Sequence, residues 1–312
     1  MENKEPISKT LLAFNALLAL SILAMIFVIY GILHKPPKTE VEHGQLVMTH
    51  AFDNLSFEAK SIYIFDVIKD KVVYEKNENT QLPLASLTKL MMALTATELL
   101  PKDSRITIKK EFLREEGDTG LLADESWKLK DLLDFSLMVS SNDGARSIAS
   151  VIGAFDLKTN DYNLGRKDFI EKMNTQAQEL GLLQTYFINE SGLDEEGVSG
   201  GYGSAKDISK LMQYILINRP ELLEATKYET ATINSLNKIS HTAKNTNDDV
   251  NQIPGLIASK TGYTALAGGN ITLAFDASIG RPIIVVILGS SEKGRFKDAT
   301  ALVKASLEYA KE

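Results

Sequence analysis

Two residues three positions apart, Ser86 and Lys89, set the chemistry open to this chain. They stand near the start of "LPLASLTKLMMALTATELL", residues 82–100, where Leu84, Leu87, Leu90, Met91 and Leu94 recur at helical spacing. The spacing predicts an amphipathic helix whose buried side also carries a hydroxyl and an ammonium group. Residues i and i+3 share a helix face, so the lysine nitrogen reaches the serine oxygen. A serine hydroxyl is a weak nucleophile near neutral pH and needs an adjacent base. A lysine desolvated among apolar neighbours loses its proton more easily and supplies that base. The helix start adds free N–H groups and a positive field beside a developing oxyanion. The chemistry is nucleophilic acyl transfer.

Two further short motifs follow. Ser140-Ser141-Asn142 falls where a helical pattern breaks, and Lys260-Thr261-Gly262 enters a run of strand character. Taken singly, each has a structural explanation. Ser-x-x-Lys recurs by chance, Ser140 to Asn142 suits a helix N-cap, and Lys-Thr-Gly suits a turn leading into a strand. Their order is informative, as are the gaps of about 50 and about 120 residues between them. Together they form the S-x-x-K, S-x-N and K-T-G set of serine penicillin-recognising enzymes.

Elements able to position these groups are readable around them. Alternation in "AKSIYIFDV" and "KVVYEK" predicts a β-hairpin over about residues 60–75. Helical periodicity runs through "SWKLKDLLDFSLMV" (126–139) and resumes after "SSND" in "GARSIASVIGAF". "KDFIEKMNTQAQELGL" and "AKDISKLMQYILI" read as two more helices. Strands return in "ASKTGYT", "GGNITLAFD" and "RPIIVVILGS", before a last helix, "KDATALVKASLEYA". Strands at both ends with helices between them give an α+β fold. Its antiparallel sheet is built from both ends of the globular part and flanked by helices, with an all-helical subdomain at roughly 100–215.

Ahead of this part lies "LLAFNALLALSILAMIFVIYGIL", residues 11–33, free of charged residues. A bilayer needs about 20 apolar residues. The run exceeds a signal-peptide core and no small-x-small cleavage site follows it, so it reads as an uncleaved transmembrane signal-anchor. Residues 1–10 precede the span, 34–58 form a polar linker, and 59–312 the catalytic domain. Lysines on both sides of the span leave its orientation open.

Composition removes several alternatives. A net charge of −7 without a basic run argues against nucleic acid as a partner. The absence of cysteine excludes disulfides and thiol nucleophiles. His34, His43, His50 and His241 show no metal-ligand spacing, so neither metal nor cofactor is expected.

From about residue 59 onward the chain resembles the low-molecular-weight D-alanyl-D-alanine carboxypeptidases, a family of penicillin-binding proteins with a β-lactamase/transpeptidase-like fold. The likeness rests on "AKSIYIFDVIKDKVVYEKNENTQLPLASLTKLMMAL", "LLDFSLMVSSNDGARSIA", "FINESGLDEEG", "GYGSAKDISKLM" and "SKTGYTALAGGNITLAF". It implies that Ser86 attacks the carbonyl of the penultimate D-alanine while Lys89 takes its proton. Ser140 would relay that proton to the leaving amine. Asn142 would bind the substrate amide and steady Lys89. Lys260 would depress the pKa of Lys89, and Thr261 would bind the terminal carboxylate. Gly262 belongs to the same binding strand, and the N–H groups of Ser86 and Tyr263 would form the oxyanion hole. Arg295 matches a family arginine that helps hold the carboxylate.

The implied partners are peptidoglycan stem peptides ending in D-Ala-D-Ala, β-lactams as covalent inhibitors, and the membrane through the N-terminal helix. Because peptidoglycan lies outside the membrane, residues 34–312 should face outward and residues 1–10 should form a cytoplasmic tail. Ser141 stands where the family commonly has glycine, and Ala265 where it commonly has aspartate. Three other functions share these motifs: a DD-endopeptidase, a class A-like β-lactamase and a non-catalytic cell-wall-binding module. No E-x-x-L-N-type stretch between Asn142 and Lys260 favours the β-lactamase, and a pure binder has no use for a nucleophile–base pair.

Overall fold

The computed structural model describes residues 50–311 apart from Asn54. The expected membrane span at 11–33 and most of its linker lie outside the described residues, and among these no helix is long and apolar enough to cross a membrane.

The sheet joins strands from opposite ends of the globular part. Strands β1 (Ser61–Asp66) and β2 (Lys71–Lys76) form the expected hairpin, and β3 (Leu256–Thr264), β4 (Gly268–Asp276) and β5 (Pro282–Ser290) form a meander. The order is β3-β4-β5-β1-β2, with every neighbouring pair antiparallel. The seam between the two ends pairs Ile62 with Ile287 and Ile64 with Val285. Successive side chains of a strand point to opposite faces, and a strand covered on both sides is apolar throughout. Strand β5 shows this: Ile284, Val286 and Leu288 enter the core shared with the helices in the middle of the chain, whereas Ile283, Val285 and Ile287 enter the core closed by the last helix.

Among the described residues, six α-helices accompany the sheet: α1 (Thr88–Leu99), α2 (Leu129–Met138), α3 (Asn142–Asp156), α4 (Tyr162–Glu179), α5 (Ala205–Asn218) and α6 (Gly294–Tyr309). Helices α3 and α4 meet through Gly153 and Gly165, where a Cβ on Gly153 would lie 1.9 Å from the Gly165 carbonyl oxygen.

Three expectations change. Helix α1 is not amphipathic: every residue from Thr88 to Ala96 is buried, because α3, α4 and α5 all pack against it. The stretch before it is not helical either; Leu82–Pro83 pairs with Gly201–Gly203, and Ala85–Leu87 is a 3-10 turn. Residues Ser126–Lys128 form a short strand against Arg105–Thr107, so α2 begins only at Leu129. Here tertiary pairing overrides local periodicity.

Candidate active site

The nucleophile turn is held from three directions. Leu84 N–H donates to the Gly201 carbonyl (2.9 Å), and the Asn270 side-chain amide donates to the Pro83 carbonyl (2.9 Å). Ala85 then takes a left-handed φ of +48°, which swings the chain into the Ser86 turn. Gly192 packs against this turn so closely that a Cβ there would lie 1.9 Å from the Ala85 carbonyl oxygen.

From the first turn of α1, Lys89 projects into a fully buried position. Its Nζ lies 2.9 Å from Ser86 Oγ, 2.6 Å from Asn142 Oδ1 and 2.8 Å from the Ser191 carbonyl oxygen. A neutral amine has two N–H donors and one lone pair. The two oxygens that can only accept, Asn142 Oδ1 and Ser191 O, take the donors, and the lone pair is left facing the Ser86 hydroxyl. Burial pushes the Lys89 pKa down from 10.5 to about 7, against the opposing pull of Glu190 and Glu115. Glu190 is itself engaged with Arg166 at 2.7 Å.

The second motif supplies one cap and two site groups. Ser141, not Ser140, caps α3, its Oγ accepting from Gly144 N–H at 3.0 Å. Ser140 sits just before it at φ +59°, with Oγ 2.9 Å from Lys260 Nζ. Asn142 bridges two elements, accepting from Lys89 through Oδ1 and donating through Nδ2 to the Glu116 carbonyl at 2.7 Å. One of its amide hydrogens is therefore committed to the protein backbone.

The Lys-Thr-Gly segment lies on β3, the edge strand beside the nucleophile. A Cβ on Gly262 would meet Leu84 O and Ser86 N at 3.0 Å each, so the glycine permits the strand to approach the turn. Lys260 is fully buried and donates to Ser140 Oγ and to the Thr261 carbonyl (2.8 Å). Burial holds it well below the ordinary lysine range, with the charges of Lys89 and Arg295 pushing the same way. The depression of Lys89 comes chiefly from its burial. Tyr263 is 51% exposed at the mouth of the site. Arg295 is buried behind the strand, donating from Nη1 to the Gly262 carbonyl at 3.0 Å, with its guanidinium over the Phe296 ring. A surface position is ruled out for it.

The D-alanyl-D-alanine carboxypeptidase family model matches residues 48–292. The chain belongs to that family. It is 30% identical over 255 residues to the D-alanyl-D-alanine carboxypeptidase DacF of Bacillus subtilis, covering 80% of this chain and 62% of the relative. It is 29% identical over 251 residues to the D-alanyl-D-alanine endopeptidase of Escherichia coli, covering 78% of this chain and 75% of the relative. Among solved structures, penicillin-binding protein D2 of Listeria monocytogenes in its ampicillin-bound form superposes with a TM-score of 0.68 at 28% identity. That match covers 81% of this chain and 98% of the other. The transpeptidase-like mixed α/β fold follows from such neighbours.

For a member of this family, the structure also brings in groups that carried no role in the sequence reading. The Ser191 carbonyl holds Lys89, and Gly192 packs on the nucleophile turn; both lie in the "FINESGLD" block, yet a backbone acceptor leaves no trace in residue type. Thr246 meets Thr261 with a hydroxyl–hydroxyl distance of 2.6 Å, although 15 residues and a turn separate them in sequence.

The Lys89 geometry predicts a pH dependence. Acylation of Ser86 by a β-lactam should fall about tenfold for each pH unit below about 7, as the amine takes up a proton, and level off above it. Stopped-flow acylation rates between pH 5 and 9 test this. A flat profile would remove Lys89 as the base.

Proposed function

We propose that this chain is a serine-type D-alanyl-D-alanine carboxypeptidase that removes the terminal D-alanine from peptidoglycan stem pentapeptides and takes part in cell-wall maturation. The observation that carries this reading is the fully buried Lys89 amine 2.9 Å from Ser86 Oγ, held there by Asn142 Oδ1 at 2.6 Å and the Ser191 carbonyl oxygen at 2.8 Å.

Ser86 Oγ attacks the carbonyl carbon of the penultimate D-alanine as its proton passes to Lys89 Nζ. The N–H groups of Ser86 and Tyr263 receive the oxyanion; losing one such donor typically costs roughly 3 kcal/mol of transition-state stabilisation. When the peptide C–N bond breaks, the Ser140 hydroxyl, its oxygen held by Lys260, donates a proton to the departing amine and regains one from the Lys89 ammonium, which returns to the neutral amine. Free D-alanine leaves, and water, deprotonated by Lys89, hydrolyses the Ser86 ester. Thr261 binds the substrate's terminal carboxylate. Arg295 supports that site through the Gly262 carbonyl and adds positive charge behind the strand. Gly262 allows the strand to close over the nucleophile. A β-lactam follows the same first step and remains as a slowly hydrolysed ester on Ser86.

Residues 11–33 anchor the protein in the cell membrane as a single span, with the catalytic domain outside. The length and apolarity of the segment support this assignment, as does the location of peptidoglycan.

DD-endopeptidase activity on cross-links is a second reading, because a relative of similar identity carries that name and both substrates present a D-Ala-D-X bond. Incubation with a purified stem pentapeptide and with a cross-linked dimer, followed by mass detection, tests both. Loss of one alanine from the pentapeptide is the expected result. Cleavage of the dimer alone would move the assignment to endopeptidase, and no turnover of either would remove the peptidase reading.

A further inference from the structure

The segment Asn245-Thr246-Asn247 connects a two-stranded hairpin (Thr230–Asn234, Ser240–Lys244) to β3, and both of its asparagines are buried. Their side chains bond to nearby main chain and to the Ser259 hydroxyl. Asn245 Nδ2 donates to the carbonyls of Thr226 (2.8 Å) and Tyr228 (3.0 Å), and its Oδ1 accepts from Asn247 N–H (2.9 Å). Asn247 donates to Ser259 Oγ (3.1 Å) and accepts from Asp249 N–H (3.1 Å). Between them, Thr246 N–H donates to the Met138 carbonyl (3.1 Å), two residues before Ser140. The backbone at 246 is thus tied to the end of α2 and to β3 at once. Its hydroxyl is directed onto Thr261 Oγ1 at 2.6 Å.

Such a clamp exceeds what a surface connection requires, and its output is a single hydroxyl pair. In that pair one O–H donates and the other accepts. If Thr261 donated to Thr246, its proton would be turned away from substrate. If Thr246 donates, the Thr261 proton is free to point at an anion, and the two bonds reinforce each other. From this geometry we propose that Thr246 is a positioning residue for the substrate's terminal carboxylate, orienting Thr261 as a donor and so favouring acyl donors with a free carboxylate. The inference rests on the assignment of Thr261 to carboxylate binding.

The test compares acylation by benzylpenicillin, which has a free carboxylate, with acylation by its methyl ester, in wild type, Thr246→Val and Thr246→Ser. In Thr246→Val the rate with the acid should fall about tenfold, the size of one hydrogen bond to a charged group, while the ester rate stays unchanged. Thr246→Ser, which keeps the hydroxyl, should restore the preference for the acid. The acid-to-ester ratio is taken within each variant, so a partly unfolded preparation does not alter it. Equal slowing of both compounds in Thr246→Val, or no slowing of the acid, would overturn the positioning role and leave the peptidase reading standing. Failure of the wild type to be acylated at all would overturn both.

Discussion

Lys89→Met is expected to lower the acylation rate of Ser86 by about 10⁴-fold, the upper range for loss of a positioned general base, while the protein stays folded. The methionine keeps most of the side-chain volume in a fully buried site and removes the amine that faces Ser86 Oγ. The stability effect has a sign that varies with pH. In the wild type the Lys89 pKa is about 7 when folded, against 10.5 for an ordinary lysine. Across that window the unfolded chain holds the proton more tightly, so this group makes the wild type more stable as pH rises from 7 to 10.5. The variant lacks that gain. Its stability relative to wild type is therefore most favourable below pH 7 and declines towards pH 10.5. Stopped-flow acylation and thermal melts at pH 6 and 9 measure both effects. A rate within tenfold of wild type would show that another group deprotonates the serine.

Gly192→Ala should damage the site without touching any group that does chemistry. The glycine has φ +83°, where an L side chain is strained, and the added Cβ would meet the Ala85 carbonyl oxygen at 1.9 Å and its carbonyl carbon at 2.5 Å. These are backbone atoms of the nucleophile turn, so relief requires the turn, the 191–192 loop or both to shift. Either movement pulls Ser86 or the Ser191 carbonyl away from Lys89. Positional errors near 1 Å can cost about 10²-fold in rate, and backbone strain of this kind costs on the order of 1–3 kcal/mol in stability. Acylation should fall by about two orders of magnitude, with a melting temperature several degrees lower. The neighbouring Gly197, at φ +81° with open space around its Cβ position, is the control. Its alanine variant should show the modest strain effect on melting and normal acylation. Equal behaviour of the two variants would mean that Gly192 supports the fold alone.

Legibility from sequence differed from element to element. The hairpin β1–β2 and the meander β3–β5 were readable because period-two alternation and long apolar runs are local consequences of one face or two being covered. Helix α1 was readable in position but not in environment. Its apolar residues at helical spacing look like one stripe, and only the packing of α3, α4 and α5 around it turns Thr88 to Ala96 into a helix buried on every side. The Ser126–Lys128 strand was hidden inside a helical pattern because its partner, Arg105–Thr107, lies about 20 residues earlier. At the site, Ser86, Lys89, Ser140, Asn142 and Lys260 stand out by type and spacing, and the fold gathers them. Arg295 was readable as a position, but its burial behind Gly262 was not.

Sequence alone determined the inventory of this protein: a hydroxyl and an amine one helical turn apart, two motifs placed to join them, an apolar segment long enough for a bilayer, and no cysteine. Those properties follow from residue identity and short-range spacing. Tertiary structure decided how completely both lysines are buried, which serine caps a helix and which faces an amine, and where Thr246 points. These depend on how completely water is excluded and on which distant carbonyl or hydroxyl arrives within 3 Å, and both are set by chain segments separated by dozens of residues.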